Sequence, residues 1–243
     1  MQRYFVEPGQ MSSGTVTIVG DDVNHIVKVM RARAGDEIIC CNGLGRDVKA
    51  VIESLGAEEV TARIVEENLP SREMPVYVTI AQGLPKSDKI EFVIQKGTEL
   101  GAFSFLPFTS QRTVVKLDDK KEKKRRERWQ KIAKEAAEQS HRSRVPVVQN
   151  VCSWRGLLAL APEFDYALFA YEKEEGALAR SLQDIPPGSR VLLVVGPEGG
   201  FDESEVKEAE DAGMRIVSLG RRILRTETAA LYGLSCISYQ FER

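Results

Sequence analysis

Two different rhythms of apolar and polar positions run along this 243-residue chain. In the first 72 residues the apolar positions fall in short β-rich runs, Thr15–Val19, Glu37–Cys41, Asp47–Ile52 and Val60–Val65, divided by Gly and Asp. Runs of that length between turn residues read as strands. Asp22 is placed to cap one short helix, Val23 to Met30. A small β-barrel with a helical insertion accommodates this pattern. The rhythm breaks near Leu69–Pro75, where two prolines bracket a polar stretch.

From Val76 onward strand and helix signals alternate. The strand candidates are Val76–Ala81, Phe103–Phe108, Val147–Val151, Tyr166–Tyr171, Val191–Val195 and Arg215–Leu219. Between them fall helices at Lys89–Leu100, Trp154–Leu160, Ala177–Leu182 and Glu203–Ala212, and a last helix from about Ala229 to Gln240. Asp88 with Glu91, and Asp202 with Glu205, have capping-box spacing, and Thr226 or Thr228 can cap the last helix. Alternation of this kind predicts an α/β unit with a parallel sheet covered on both faces. The expected domains are residues 1–72 and 73–243.

One further helix is set apart by its charge. Lys120 to Lys134 holds nine Lys or Arg against Glu122 and Glu127, an excess of seven positive charges in a chain whose net charge is −2. Trp129, Ile132, Ala133, Ala136 and Ala137 recur at helical spacing, so the segment is expected to pack one side and turn its cations outward. Such a face attracts phosphate backbones. It also serves simply as a solvated surface. Arg112, Arg142 and Arg144 flank it in sequence.

Composition removes several classes. No apolar run is long enough to span a bilayer, and Met1–Phe5 leads into no secretory signal, which points to a cytoplasmic protein with no membrane partner. Cys40, Cys41, Cys152 and Cys236 lack the spacing of a disulfide framework or a zinc site and read as small buried hydrophobes. No metal is expected.

The candidate chemistry sits in two Gly-bounded turns near the end of the chain. Gly196-Pro197-Glu198-Gly199-Gly200 follows the strand candidate ending at Val195, and Leu219-Gly220 leads into Ile223-Leu224-Arg225-Thr226-Glu227-Thr228-Ala229. A buried strand that delivers its backbone to a Gly-rich turn before a helix forms the usual ligand crevice of an open α/β sheet. Gly199 and Gly200 let a ligand approach the main chain with no Cβ in the way. Each turn alone is also a plain β-to-α connection. Two turns that both carry ionisable residues suggest one pocket.

These paired turns resemble the C-terminal signature of the small-subunit ribosomal RNA (uracil-N3)-methyltransferase family, within the SPOUT or trefoil-knot methyltransferases. Other matching pieces are His25 with Val29-Met30-Arg31 and Gly35-Asp36, Lys96-Gly97-Thr98-Glu99-Leu100-Gly101, Gln111-Arg112, and Glu138-Gln139-Ser140 with Arg142 and Pro146. The resemblance covers nearly the whole chain; Met30 stands where Leu is more usual. It implies an N-terminal PUA-like barrel that binds RNA, a C-terminal α/β domain threaded into a knot, a homodimer, and S-adenosylmethionine held in the knot loops.

On that resemblance, the methyl-donor pocket is formed by Gly196, Pro197, Glu198, Gly199, Gly200, Leu219, Gly220, Ile223, Leu224, Arg225 and Thr226, with Tyr171 and Glu172 closing it. Uracil N3 must lose its proton to attack a methyl group. Arg225 is the candidate to stabilise the developing uracil oxyanion, and Glu198 or Glu227 to take the proton. The two glutamates also fit a purely structural role as acidic residues at helix N-termini, and Arg225 an inter-loop ion pair. His25, Arg31, Arg33, Lys86, Arg112 and Arg142 are the candidate phosphate contacts, on ribosomal RNA or an assembling small subunit. A non-catalytic RNA-binding module keeps the same fold without turnover. A nucleotide hydrolase is disfavoured because no GxxxxGK[ST] occurs.

Overall fold

The structure, a computed structural model, describes residues 1–67, 69–115, 118–172 and 178–242. The chain divides into two compact units: residues 1–73 with 137–145, and residues 74–136 with 146–243. The first unit therefore takes a segment from beyond the Pro-bracketed break as well as the chain before it.

In the first unit β1 (Gln2–Phe5), β2 (Thr15–Val19), β3 (Glu37–Cys41), β4 (Asp47–Leu55) and β5 (Glu59–Glu67) form one sheet in the order β1-β3-β4-β5-β2. Inward positions alternate along these strands, as the period of two requires. Val16, Ile18, Ile38, Cys40, Val48, Ala50, Ile52, Val60 and Ala62 meet in one core. Two register shifts in the β4–β5 pair, at Lys49/Ala50 and Ile52/Ser54, bend the long hairpin over that core.

The expected helix from Val23 to Met30 is corrected in start and form. α1 is Asp21–Asn24, entered from Gly20 at φ +76° with no side-chain cap, so Asp22 is a first-turn acid. It continues as a π-helical turn over His25–Val29, in which the Met30 N–H donates to the His25 carbonyl at 2.9 Å.

β1 has no counterpart in the sequence reading. It pairs in parallel with β3, and its Arg3 points inward as a buried cation. The Arg3 guanidinium lies 2.7 Å from Asp47 and donates to the Arg142 carbonyl at 3.0 Å, and the Ser143 hydroxyl donates to Asp47. Arg142 was expected to meet phosphate and does not lie free to do so. It is 4% exposed, and the carboxylate of Glu73 takes hydrogen bonds from its guanidinium and from the backbone N–H of Ser143 and Arg144. A buried guanidinium needs such a partner, because an unpaired one costs several kcal/mol.

The second unit is built on β6 (Tyr77–Gly83), β7 (Ser104–Thr109), β8 (Val147–Val148), β9 (Cys152–Ser153), β10 (Tyr166–Ala170), β11 (Arg190–Val195) and β12 (Arg215–Val217). All pairings are parallel, in the order β12-β10-β11-β6-β7-β8, with β9 also on β7. The apolar run of β11 is buried throughout Val191–Val195, as a central strand covered on both faces demands. Of the expected strand Val147–Val151 only Val147–Val148 forms, as β8, and β9 begins just beyond its expected end. Gln149 N–H turns to the Phe105 carbonyl, and Val151 N–H to the Glu122 carboxylate.

The covering helices are α2 (Lys89–Glu99), α3 (Asp119–Gln139), α4 (Trp154–Leu160), α5 (Leu178–Gln183), α6 (Glu203–Asp211) and α7 (Thr226–Phe241). The start expected for α5, Ala177, lies outside the described residues. The capping box of α6 forms as expected. That of α2 does not: Asp88 makes no side-chain cap, and Glu91 pairs instead with Arg128 at 2.6 Å. Gly97 of α2 allows close approach to the sheet, since a Cβ there would stand 2.8 Å from the Phe105 ring. After the edge strand β12 the chain doubles back, and α7 packs on α2, β11 and β6 near the middle of the sheet. On this return the Thr226 hydroxyl meets the Gly196 carbonyl in the loop after β11.

Candidate active site

The return of the chain to the middle of the sheet brings the two Gly turns together. Between them, at the carboxyl ends of β10, β11 and β12, lies a cavity of about 450 Å³, within the size range of small-molecule sites. Its wall contains Tyr171 and Glu172 after β10, Gly196 to Phe201 after β11, and Leu219, Gly220 and Arg222 to Thr226 leading into the start of α7. Every residue expected to hold the methyl donor thus lines one space.

Each turn has its conformation for a physical reason. A Cβ on Gly196 would come within 2.9 Å of the Phe201 ring, which is stacked on Phe108 and packs against Phe169. A Cβ on Gly83, at the end of β6, would meet Pro197 at 2.6 Å. Gly200 has φ +66° and Gly220 φ +109°, left-handed backbone that side chains rarely adopt. Gly220 faces open space. Beneath the cavity Phe108, Phe169, Phe201 and Trp154 form an aromatic floor, with the Trp154 indole N–H donating to Glu208 at 2.6 Å.

A buried polar latch ties the turns to the sheet. Gln82, fully buried at the end of β6, donates through Nε2 to the Thr226 hydroxyl at 2.8 Å, and that hydroxyl donates to the Gly196 carbonyl. Thr226 is therefore the first residue of α7 and binds across to the other turn. The expectation that Thr226 or Thr228 caps a helix beginning at Ala229 is corrected. The N-cap position is Arg225, which makes no side-chain cap, so the first N–H groups of α7 stay open at the cavity wall.

The charged residues fall into two groups. Lys89, in the first turn of α2, lies 3.1 Å from Glu198 and 3.4 Å from Glu227, so one cation joins both turns. The Glu198 carboxylate also accepts from the Lys86 backbone N–H at 3.1 and 3.2 Å. Burial pushes the Glu198 carboxyl up, but these hydrogen bonds and Lys89 outweigh it and hold the group below the usual carboxylate range. Lys89 is raised in turn, chiefly by its contact with Glu198. Arg222 and Arg225, by contrast, are exposed at the cavity and have no ion-pair partner among the described residues.

The pattern of chain matches agrees with this arrangement. Residues 72–238 match the model of an RNA methyltransferase domain, and residues 18–65 that of an RNA methyltransferase PUA domain. A relative from Bacillus subtilis, named ribosomal RNA small subunit methyltransferase E, is 50% identical over 100% of this chain and 98% of its own length. The chain belongs to the ribosomal RNA small subunit methyltransferase E family. Another member, from Mycobacterium tuberculosis, is 34% identical over 93% of this chain and 87% of its own. A crystal structure of the Neisseria gonorrhoeae methyltransferase E, described as bound to S-adenosyl methionine, is 33% identical, with a TM-score of 0.88 over 98% of this chain and 97% of that one.

Within this methyltransferase the candidate RNA contacts are divided between the two units. His25, Arg31 and Arg33 belong to the first unit. His25 Nδ1 lies 3.1 Å from the Tyr4 hydroxyl, Arg31 is exposed at φ +52°, and the exposed Arg33 gives its backbone N–H to Asp36. Lys86 and Arg112 belong to the second unit. The Lys86 side chain is exposed. Arg112 is committed to the cavity loop, donating to the Gly199 carbonyl at 2.9 Å and pairing with Asp202 at 3.1 Å. Lys89, Gln82, Phe201 and Arg222 escaped the sequence reading. Lys89 and Gln82 stand far from the Gly turns in sequence, and only the strand order places them there. Phe201 and Arg222 adjoin the motifs and were legible as neighbours.

Proposed function

We propose that this protein transfers a methyl group from S-adenosylmethionine to N3 of a uridine in small-subunit ribosomal RNA. One observation carries the reading: both Gly turns and the uncapped start of α7 wall a single cavity in which the Arg225 guanidinium has no internal partner. The cavity fits the donor. Leu219, Ile223 and Leu224 make no backbone hydrogen bond through their N–H groups among the described residues, which leaves donors for an adenine. The Glu172 carboxylate beside Gly200 suits ribose hydroxyls, and the positive φ of Gly220 opens backbone that a side chain would block. When bound, S-adenosylmethionine supplies an electrophilic methyl group on a cationic sulfur.

The chain's own residues then act on the uracil. Arg225 donates to a uracil carbonyl oxygen on which negative charge grows as the N3 proton leaves, an interaction worth roughly 3 kcal/mol per well-placed donor. The proton goes to a carboxylate. Glu198 is a poor acceptor, because Lys86 N–H and Lys89 already stabilise its anion. Glu227 is the less committed of the two, since its buried Oε2 has no hydrogen-bond partner although Lys89 lies 3.4 Å away, but it stands behind the cavity wall that Glu198 lines. The Gly196–Phe201 loop and its aromatic floor keep water from the back of the site. The target base has to be unstacked to enter.

The same reading makes the protein a cytoplasmic homodimer. Ile223, 88% exposed at the cavity wall, and the exposed Tyr232 of α7 are apolar surface that a second copy would cover. No described helix is long and apolar enough to cross a membrane. The deciding experiment is methylation of small-subunit ribosomal RNA by the purified protein, with nucleoside mass spectrometry of the product and calorimetry against S-adenosylmethionine, ATP and GTP. N3-methyluridine formation with saturable donor binding is the expected result. ATP binding without donor binding overturns it.

A further inference from the structure

The helix with the charge excess divides cleanly into two sides. Trp129, Ala133 and Ala136 are buried, and Gln130 is held by the Pro146 carbonyl and the Val148 N–H, so that side of α3 is fixed in the second unit. The opposite side carries Lys120, Lys123, Lys124 and Lys131, spread along about 16 Å at 1.5 Å per residue. Few of its charges are neutralised internally. Lys121 pairs with Asp118 and Lys131 with Glu135 at 4.0 Å, whereas Lys120, Lys123 and Lys124 are exposed and have no ion-pair partner among the described residues.

Lys120 faces Lys123 and Lys124 at spacings of three and four residues, where like charges each destabilise a helix by about 0.2–0.5 kcal/mol. A surface required only to be soluble gains from mixed signs. A cluster that repels itself is relieved by an anion laid along it. The face also leads to the cavity: Arg128 of α3 holds Glu91 of α2 at 2.6 Å, and Lys89, in that same first turn of α2, lines the cavity.

We propose that the solvent side of α3 docks the phosphate backbone of the substrate RNA, on a strand continuous with the uridine entering the cavity. This rests on the RNA reading above and adds where the polymer lies. Lysines act here as mobile point charges, so the surface sets affinity and leaves the choice of base to the cavity.

The test is the full-length K120Q/K123Q/K124Q variant, in which glutamine keeps helix propensity while removing charge. Anisotropy of labelled small-subunit ribosomal RNA is measured across a potassium chloride series, alongside calorimetry with S-adenosylmethionine and methyl transfer at saturating RNA. Three lost phosphate contacts reduce the slope of log affinity against log salt by roughly two to three, and weaken binding at physiological salt by roughly ten- to a hundredfold. Donor binding and transfer at saturating RNA stay unchanged. An unaltered slope in a folded, donor-binding variant overturns the proposal and leaves the methyltransferase reading standing. Lost binding to assembled subunits with unchanged binding to naked RNA overturns it too, and assigns the face to a protein partner. If the wild type itself transfers no methyl group to ribosomal RNA, the underlying reading fails instead.

Discussion

The hydroxyl of Thr226 donates to the carbonyl of Gly196, joining the start of the last helix to the loop after the central strand. Gln82 supplies the proton that this hydroxyl accepts, and its other amide atom, Oε1, is buried without a partner. The three groups fix the distance between the two walls of the cavity. Thr226→Val keeps the shape but removes both of these hydrogen bonds, leaving Gln82 Nε2 with the Gly83 carbonyl at 3.0 Å and a long 3.5 Å contact to the Gly196 carbonyl, a loss of about 1–3 kcal/mol. Calorimetry is expected to show S-adenosylmethionine affinity down by roughly ten- to a hundredfold, with Thr226→Ser close to the wild type. Equal affinity in the valine variant would remove the latch from the site.

Arg225 is set at the cavity wall by its main chain alone. Arg225→Ala is expected to reduce kcat by about 10²–10³ while donor affinity changes little, because the guanidinium acts on charge that appears only as the uracil ionises. Single-turnover methyl transfer measures it. A variant that turns over normally assigns the oxyanion role elsewhere.

The Lys89–Glu198 contact has a defined pH signature. Glu198 is depressed relative to its ordinary value of 4.5, so its contribution to stability is fully present above that pH and disappears as pH falls through the lower, folded value. The ion pair is partly exposed and contributes about 0.2–1 kcal/mol. Thermal melts of the wild type and Glu198→Gln should differ near neutrality and converge in acid. A difference that grows as pH falls contradicts the assignment.

Gly97→Ala tests how the sheet is covered. Alanine improves helix propensity by about 1 kcal/mol, but its methyl would stand 2.8 Å from the buried Phe105 ring. Overpacking of this kind costs about 1–3 kcal/mol, so the variant is expected to lose stability in urea denaturation.

The parallel sheet was legible because β11 and β6 are apolar runs bounded by turns, and α3 because Trp129, Ala133 and Ala136 repeat at helical spacing. β1 was not: four residues with a buried arginine carry no period, and only pairing with β3 makes them a strand. The capping box expected at Asp88 failed because tertiary context overrode the local signal, with Glu91 turned to Arg128. In the site, the Gly turns announced themselves, whereas Lys89 and Gln82 became visible only once the chain had folded back. Arg142 shows the opposite error. Its charge and neighbourhood suggested a ligand contact, and Glu73 consumes it.

The claim of the first unit on residues 137–145 sets a timetable for biogenesis. Asp47 and Arg3 wait, half satisfied, until translation has delivered Ser143 and the Arg142 carbonyl. A nascent chain cut at residue 73 would expose an incomplete ionic centre, so the N-terminal fragment made by itself is expected to be a poor folder. Supplying the nonapeptide in trans, or grafting it through a short tether, is the direct route to an autonomous version.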